Sequence, residues 1–496
     1  MNSEISNTKT SFNFLIPQKY FLPLILVSAI IVRIIFFNGL LFSDDSYYNW
    51  LSFQLLNGSY NSGFAGYPIF LIRKFSTLFN SLFFALFGYN EIVSVLFPFI
   101  LSILSVILVY KISEELINQK KISLIASFLA AFFPVDIIFA SINFSDLECV
   151  FFINLGIYFY LKAARQNNYI YYVIAGICLS VSILFKEYAY YYIILLAGYF
   201  LYNLFIGKKN RFQAIIPLLI ISAFLFLEGI YYLITENNLY YRFSIFRSNY
   251  IYCYYDFFPY TQPNEKINFA TYLISLIKHI GNNIKYLFVR RYYLFLPVFA
   301  VVQSYILIKK KEQKFLLVWF VGLLVLMPLM TVSLTTYSPI ELRRIWYIYP
   351  LVIPFCILTA SLISKLRPIY LSSVLLFYFT GSIIMSIEFQ NFFDIRNKDH
   401  FKQFIKDNSE KIIYTDHHTA YGIRLVNGFT KNDNVKIYTN TDSLRTNRDE
   451  LIVYSGQVIE ELKKQKYIFP DFNALRDDRY KLVTSIGQFE VYERIK

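Results

Sequence analysis

Residues 92–110 read IVSVLFPFILSILSVILVY, a run without a single charged side chain. At a rise of about 1.5 Å per residue, a helix of that length crosses the roughly 30 Å of hydrocarbon in a bilayer. Working outward in both directions, the chain offers about eleven runs of this kind, a count set by the roughly 17–25 residues a span needs. They lie near 20–38, 92–110, 122–140, 147–163, 169–185, 188–206, 213–234, 291–308, 315–333, 345–363 and 370–388. The 496 residues are 56% hydrophobic and 20% aromatic, too apolar for a polar-surfaced globule. The fold class is therefore a polytopic α-helical membrane protein. The first span lacks a small-residue cleavage site and reads as retained.

Orientation follows from Lys and Arg in the short loops. Lys9 and Lys19 precede the first span. Lys111, Lys120 and Lys121, then Lys162 and Arg165, then Lys208, Lys209 and Arg211 mark alternate loops, followed by Lys309–Lys311 with Lys314 and by Lys365 with Arg367. That regularity predicts a cytoplasmic N-terminus over 1–19, a transmembrane body over 20–390 and an extracytoplasmic C-terminus, in a plasma membrane. The net charge of +14 reads as a topology signal plus phosphate contacts, and nucleic acid is not an expected partner. No Walker A loop or dinucleotide fingerprint occurs. Of Cys149, Cys178, Cys253 and Cys356, only Cys253 falls in an outer loop, so no disulfide framework is implied.

Three regions fall outside the spans. In the outer loop 39–91, NWLSFQLLNGSY places Trp50, Leu51, Phe53, Leu55 and Leu56 so as to suggest a helix lying in the membrane interface and ended by Asn57-Gly58. Arg73 and Lys74 make the following stretch a juxtamembrane helix. The outer loop 235–290 is dense in Tyr and Phe, with Arg242, Arg247 and Asp256; it suits interfacial packing or a ligand face. The tail, 395–496, alternates helical signals (HFKQFIKDN, QVIEELKKQ) with β-rich runs (KIIYTD, NVKIYT, ELIVYS, KLVTSI, FEVYERI), the pattern of a small α/β domain.

The residues able to carry chemistry sit at the outer ends. Asp44 and Asp45 open the interfacial helix; one can serve as its cap, and a second adjacent carboxylate is not needed for that. Partial desolvation and a like-charged neighbour would raise one towards the range of a base. Asp146 and Glu148 open the fourth span, where they can complement the helix N-terminus or face the same cavity as Asp44, with Asp136 a weaker companion. Lys186-Glu187 occupies a tight outer turn, as a surface ion pair or a phosphate contact. Arg290 and Arg291 share that side. Arg343 and Arg344 break the positive-inside tendency, and their forked guanidinium groups match phosphate oxygens. Arg33 and Glu228 are buried charges within spans. Asp416-His417-His418 follows a strand and reads as a helix-capping turn, because a third spaced metal ligand is missing.

SDDSYYNWLSFQLLNGSY (43–60), with GYPIFLI and LFGYNEIVSVL after it, resembles the first outer loop of family C (GT-C) glycosyltransferases that use polyprenyl-phosphate sugars, among them protein O-mannosyltransferases and lipid A aminoarabinose transferases. By that resemblance Asp44 takes the family's Asp place, Asp45 its Glu place and Tyr48 its Tyr place. SDLECVFFINLGIYFYLKA, LFKEYAYYYIILL and RRIWYIYPLVIP resemble the family's acidic fourth span, Lys-containing turn and late Arg-x-x-Tyr-x-x-Pro span, which adds Tyr347 to the substrate-binding candidates. The chain departs from the family at Ala65-Gly66-Tyr67, where some members carry an acidic-basic pair. The resemblance implies transfer of a sugar from a polyprenyl-phosphate donor to a hydroxyl of a protein, lipid or glycan acceptor. Asp44, Asp45, Asp146 and Glu148 would be the acidic site residues, and Lys186, Arg343 and Arg344 would hold the donor phosphate. No metal or other cofactor is implied. A transporter or flippase of lipid-linked sugars is the alternative, although transporters concentrate polar groups near the midplane; a non-catalytic scaffold is a third reading.

Overall fold

Each of the eleven apolar segments falls on a helix in the computed structural model, which describes residues 18–60, 68–206, 213–246, 269–329, 342, 344–429, 434–437, 450–456 and 480–495. Lys9, Lys208, Lys209, Arg211, Arg247, Cys253, Asp256, Arg343, Ala65-Gly66-Tyr67 and the expected helix QVIEELKKQ lie outside the described residues. We label the helices α1 (Phe21–Ile35), α2 (Asp44–Leu56), α3 (Lys74–Phe87), α4 (Leu96–Ile117), α5 (Lys120–Ala131), α6 (Pro134–Phe139), α7 (Ser145–Gln166), α8 (Tyr169–Ile183), α9 (Ala189–Ile206), α10 (Ile216–Glu236), α11 (Phe269–Val289), α12 (Leu296–Lys310), α13 (Lys314–Leu329), α14 (Tyr349–Ile363) and α15 (Pro368–Phe392). Five helical stretches among the described residues are long and apolar enough to cross a membrane: Leu96–Ile117, Ser145–Gln166, Gln213–Glu236, Ile345–Ile363 and Pro368–Phe392.

Two features shape the body. The expected span 122–140 is broken: Phe133 is extended at ψ 119° and Pro134 starts α6 as its first residue. Proline lacks the amide a continuing helix would need, and it biases the preceding residue away from helical backbone. The break lets Arg33 of α1 reach Asp136 at 2.5 Å while also donating to Ser102 Oγ (2.6 Å) and the Ala131 carbonyl (2.9 Å). Both charges are buried, so this is a structural pair between helices. The second feature is α14, almost wholly buried and packed on α5, α12 and α13, which makes it the axis of the core. Asn118, Asn167 and Asn237 end α4, α7 and α10 in left-handed backbone (φ 55°, 52° and 51°), a conformation asparagine tolerates where most side chains do not.

The tail forms a mixed five-stranded sheet. It begins with α16 (Ile395–Asp407), β1 (Ile412–Thr415) and α17 (His417–Val426). There follow β2 (Val435–Ile437), β3 (Glu450–Tyr454), β4 (Tyr480–Ile486) and β5 (Phe489–Arg494) in the order β2-β1-β3-β5-β4. β1 pairs in parallel with β2 and β3, and β5 runs antiparallel to β3 and β4. Helix α17 is the crossover between the parallel β1 and β2, and every residue of β3 is buried at the centre. All five β-rich runs of the tail contribute a strand.

Helix α2 departs from expectation. It does not lie as an amphipathic helix with one face in lipid: α3 packs on one side and α17 of the tail on the other. Its polar side chains Asn49, Ser52 and Gln54 are buried along with Tyr47, Tyr48 and Leu51. Asn49 Oδ1 accepts from Asn80 (2.9 Å) and Asn143 (2.8 Å), so the buried amides tie α2 to its neighbours.

Candidate active site

The segment 36–45 leaves α1 and delivers the two carboxylates to different places. Asp45 is fully buried; its oxygens accept from the backbone amides of Leu41 (2.6 Å) and Ser43 (2.8 Å). Burial pushes its carboxyl up, and the two amides and nearby Lys398 only partly offset this. Asp45 thus braces the loop through these two backbone hydrogen bonds. Asp44 is half-buried at the first position of α2, within electrostatic reach of Tyr48 and Asp146.

Behind Asp44 lie two ion pairs. Lys186 Nζ donates to Asp146 Oδ2 at 2.5 Å, and the Tyr188 hydroxyl donates to the Asp146 carbonyl at 2.5 Å. Arg73 binds Glu187 through Nε (3.0 Å) and Nη2 (2.7 Å), and its Nη1 donates to the Tyr48 hydroxyl at 3.0 Å. Tyr48 in turn shares a 2.8 Å hydrogen bond with Ser145 Oγ. Burial disfavours the Arg73 cation, but Glu187 outweighs it and holds Arg73 charged; burial likewise raises Glu187, and Arg73 outweighs that, leaving the carboxyl lowered. Lys186 and Glu187 therefore do not pair with each other on the surface, as one expectation had it. Each is committed to a different buried partner.

Glu148 lies within electrostatic reach of Asp146. It accepts from Ser76 Oγ on α3 and is buried, as its two-residue offset from Asp146 on a helix requires. Lys186 also sits 5.6 Å from the Tyr347 ring, and Tyr347 continues into an apolar cleft with Tyr188, Tyr191, Tyr192, Leu323 and Met327. Arg344 is half-buried over Trp346, 5.7 Å from its ring. Glu228 pairs with Arg242, which also donates to the Ile72 carbonyl (3.2 Å), and Arg291 pairs with Glu388. Asp416 caps α17 through the Thr419 amide (3.1 Å), as read from sequence. Among the described residues no group of three His, Cys, Asp or Glu could hold a metal ion.

The family model for dolichyl-phosphate-mannose-protein mannosyltransferases matches residues 75–232. Among solved structures, apo ArnT from Cupriavidus metallidurans is similar with a TM-score of 0.57 at 12% identity, over 96% of this chain and 98% of that one. The same protein bound to undecaprenyl phosphate gives 0.54 at 13% identity, over 95% and 98%. The archaeal oligosaccharyltransferase AglB from Archaeoglobus fulgidus, in complex with an inhibitory peptide and a dolichol-phosphate, gives 0.55 at 13%, over 97% of this chain and 75% of that one. The chain has the GT-C glycosyltransferase fold. No curated protein sequence matches it.

Within this GT-C fold, Arg73 is the member of the charged cluster that the sequence reading did not single out. Its signal was present: an arginine between apolar stretches on the side with fewer basic loops, the same anomaly that drew attention to Arg343 and Arg344. Glu187 was seen, but its partner, 114 residues away, was not.

Proposed function

We propose that this chain moves a sugar from a polyprenyl-phosphate donor to an acceptor hydroxyl at the outer face of the membrane. The observation that carries the reading is a half-exposed Asp44 set in front of two cations, Arg73 and Lys186, held in place by buried carboxylates. The acceptor oxygen attacks the anomeric carbon while Asp44 takes its proton. The bond from that carbon to the phosphate oxygen breaks, and the electron pair leaves with polyprenyl phosphate. A single displacement inverts the anomeric centre. The leaving phosphate needs no proton because cations receive its charge: Lys186 spends one of its three N–H groups on Asp146 and keeps the others for phosphate oxygens. Arg344, over the Trp346 ring, and Arg343, its neighbour in sequence, are the further cations assigned to the phosphate. Fixed charges of this kind are the largest contribution an enzyme makes to such a step. The aromatic cleft at Tyr347 suits an isoprenoid chain.

The test uses the purified full chain with radiolabelled undecaprenyl-phosphate hexoses and pentoses. Wild type releases undecaprenyl phosphate; Asp44→Asn slows release by at least about 10²-fold while binding undecaprenyl phosphate normally. Full activity in Asp44→Asn overturns the assignment. Passage of labelled lipid across proteoliposomes without turnover overturns the transferase reading in favour of a transporter.

A further inference from the structure

The loop that presents Asp44 is gripped from outside the membrane body. Phe42 adopts φ 58°, a left-handed backbone that a phenylalanine takes only under constraint. Its ring is 5% exposed and enters the core of the tail domain, edge-on to Phe401 and Phe489 at 5.3 Å each. Those two rings stack on one another at 3.8 Å, so together they form a socket wall. The remaining wall is Gly422 of α17: a Cβ there would lie 2.3 Å from the Phe42 ring. On the other side, Asp45 holds the amides of Leu41 and Ser43, and Glu91 accepts from Leu40 at 2.6 Å while pairing with Lys402 of the tail. Thus the residues immediately before Asp44 have one fixed course, and three of the groups that fix it, Phe401, Phe489 and Gly422, belong to a domain more than 350 residues away in sequence.

We infer that Phe42 is a positioning residue, through which the tail domain sets the aim of Asp44. The inference rests on the proposed role of Asp44 as the base. It makes the tail part of the catalytic apparatus rather than an appended module: Phe42 touches no substrate, and acts by fixing where the neighbouring carboxylate points. Misplacing a reacting group by about 1 Å costs on the order of 10²-fold in rate.

The experiment compares full-length wild type, Phe42→Ala, Gly422→Ala and the conservative Phe42→Leu by two readouts. Hydrogen exchange of the backbone over 39–45 reports the grip without reference to activity. It rises at least about tenfold in Phe42→Ala and Gly422→Ala, as local opening costs less, while exchange in α4 is unchanged. In the transfer assay, kcat falls about 10²-fold in those two variants, with the donor KM and undecaprenyl phosphate affinity unchanged, and Phe42→Leu keeps most of kcat. Unaltered exchange over 39–45 in both variants overturns the inference whatever the transfer assay shows. So does a parallel loss of kcat and undecaprenyl phosphate affinity, which would mark a general disturbance. If wild type turns over none of the donors, the proposed function fails by itself, and the exchange data still decide whether the tail holds the loop.

Discussion

Removing Arg73 should cost more stability than any other single change at the site, and the cost should vanish in part when Glu187 is removed with it. The guanidinium and carboxylate meet through two hydrogen bonds of 3.0 and 2.7 Å, with side chains only 10% and 16% exposed. At 2.7 Å the gross attraction is about 6 kcal/mol with an effective dielectric constant of about 20, most of it offset by desolvation of the two ions. What remains measurable is the penalty for stranding one ion. Arg73→Met should destabilise by about 3–5 kcal/mol because Glu187 is left buried without its cation. Glu187→Gln should cost somewhat less, about 2–3 kcal/mol, since an amide still accepts a hydrogen bond from the guanidinium. The double variant strands neither ion and should resemble the milder single variant, giving a coupling of at least about 3 kcal/mol. Unfolding of the four proteins in mixed micelles at neutral pH measures all terms of the cycle. There is also a pH signature. Arg73 lowers Glu187 in the folded protein, so this contribution is present above the carboxyl's ordinary value and is lost as pH falls through the lowered one. Additivity of the two single variants to within about 0.5 kcal/mol would refute the reasoning.

Asp45→Asn should replace one of the two accepting oxygens by an NH2 group that faces a backbone N–H, costing about 1–3 kcal/mol in mixed-micelle unfolding, and should slow transfer without abolishing it, in contrast to Asp44→Asn. His417 is pushed down to about 4 by burial and by His418, so it stays neutral in the fold at pH values where the unfolded chain takes up a proton. The thermal stability of the tail should therefore fall as pH drops from 6.5 towards 4, and His417→Phe should flatten that part of the profile. Trp50→Ala removes a ring that stacks on Tyr421 at 5.0 Å and lies 4.7 Å beneath the Arg424 guanidinium. Limited proteolysis should release the tail about 30- to 150-fold faster, reflecting a loss of about 2–3 kcal/mol.

The helices of the body were legible because apolar runs of spanning length have few other uses, and the tail strands because β-branched and aromatic runs were separated by polar segments. Asp44, Asp146 and Lys186 were legible as polar groups at helix ends. The roles of the neighbours were not. Asp45 and Asp44 are chemically identical, and only the return of the Leu41 and Ser43 amides distinguishes them. Helix α2 misled because its polar residues satisfy one another across helices: Asn49 meets Asn80 and Asn143. Periodicity within one segment cannot report a partner from another. The same holds for Arg73, whose meaning depends on Glu187 in a turn far along the chain. Arg33 read as an anomaly within a span, and the break at Pro134 that brings Asp136 to it is a backbone event that hydropathy does not register.

The grip of the tail on Phe42 has a consequence for biosynthesis. Phe42 is synthesised with the first of the apolar segments, whereas Phe401, Gly422 and Phe489 follow the last of them. The ribosome must finish every membrane helix, and the tail must fold, before the loop bearing Asp44 acquires its socket. On that inference, a chain still being made carries its apolar helices before the loop has its socket, and the aim of Asp44 is set only once the tail has folded.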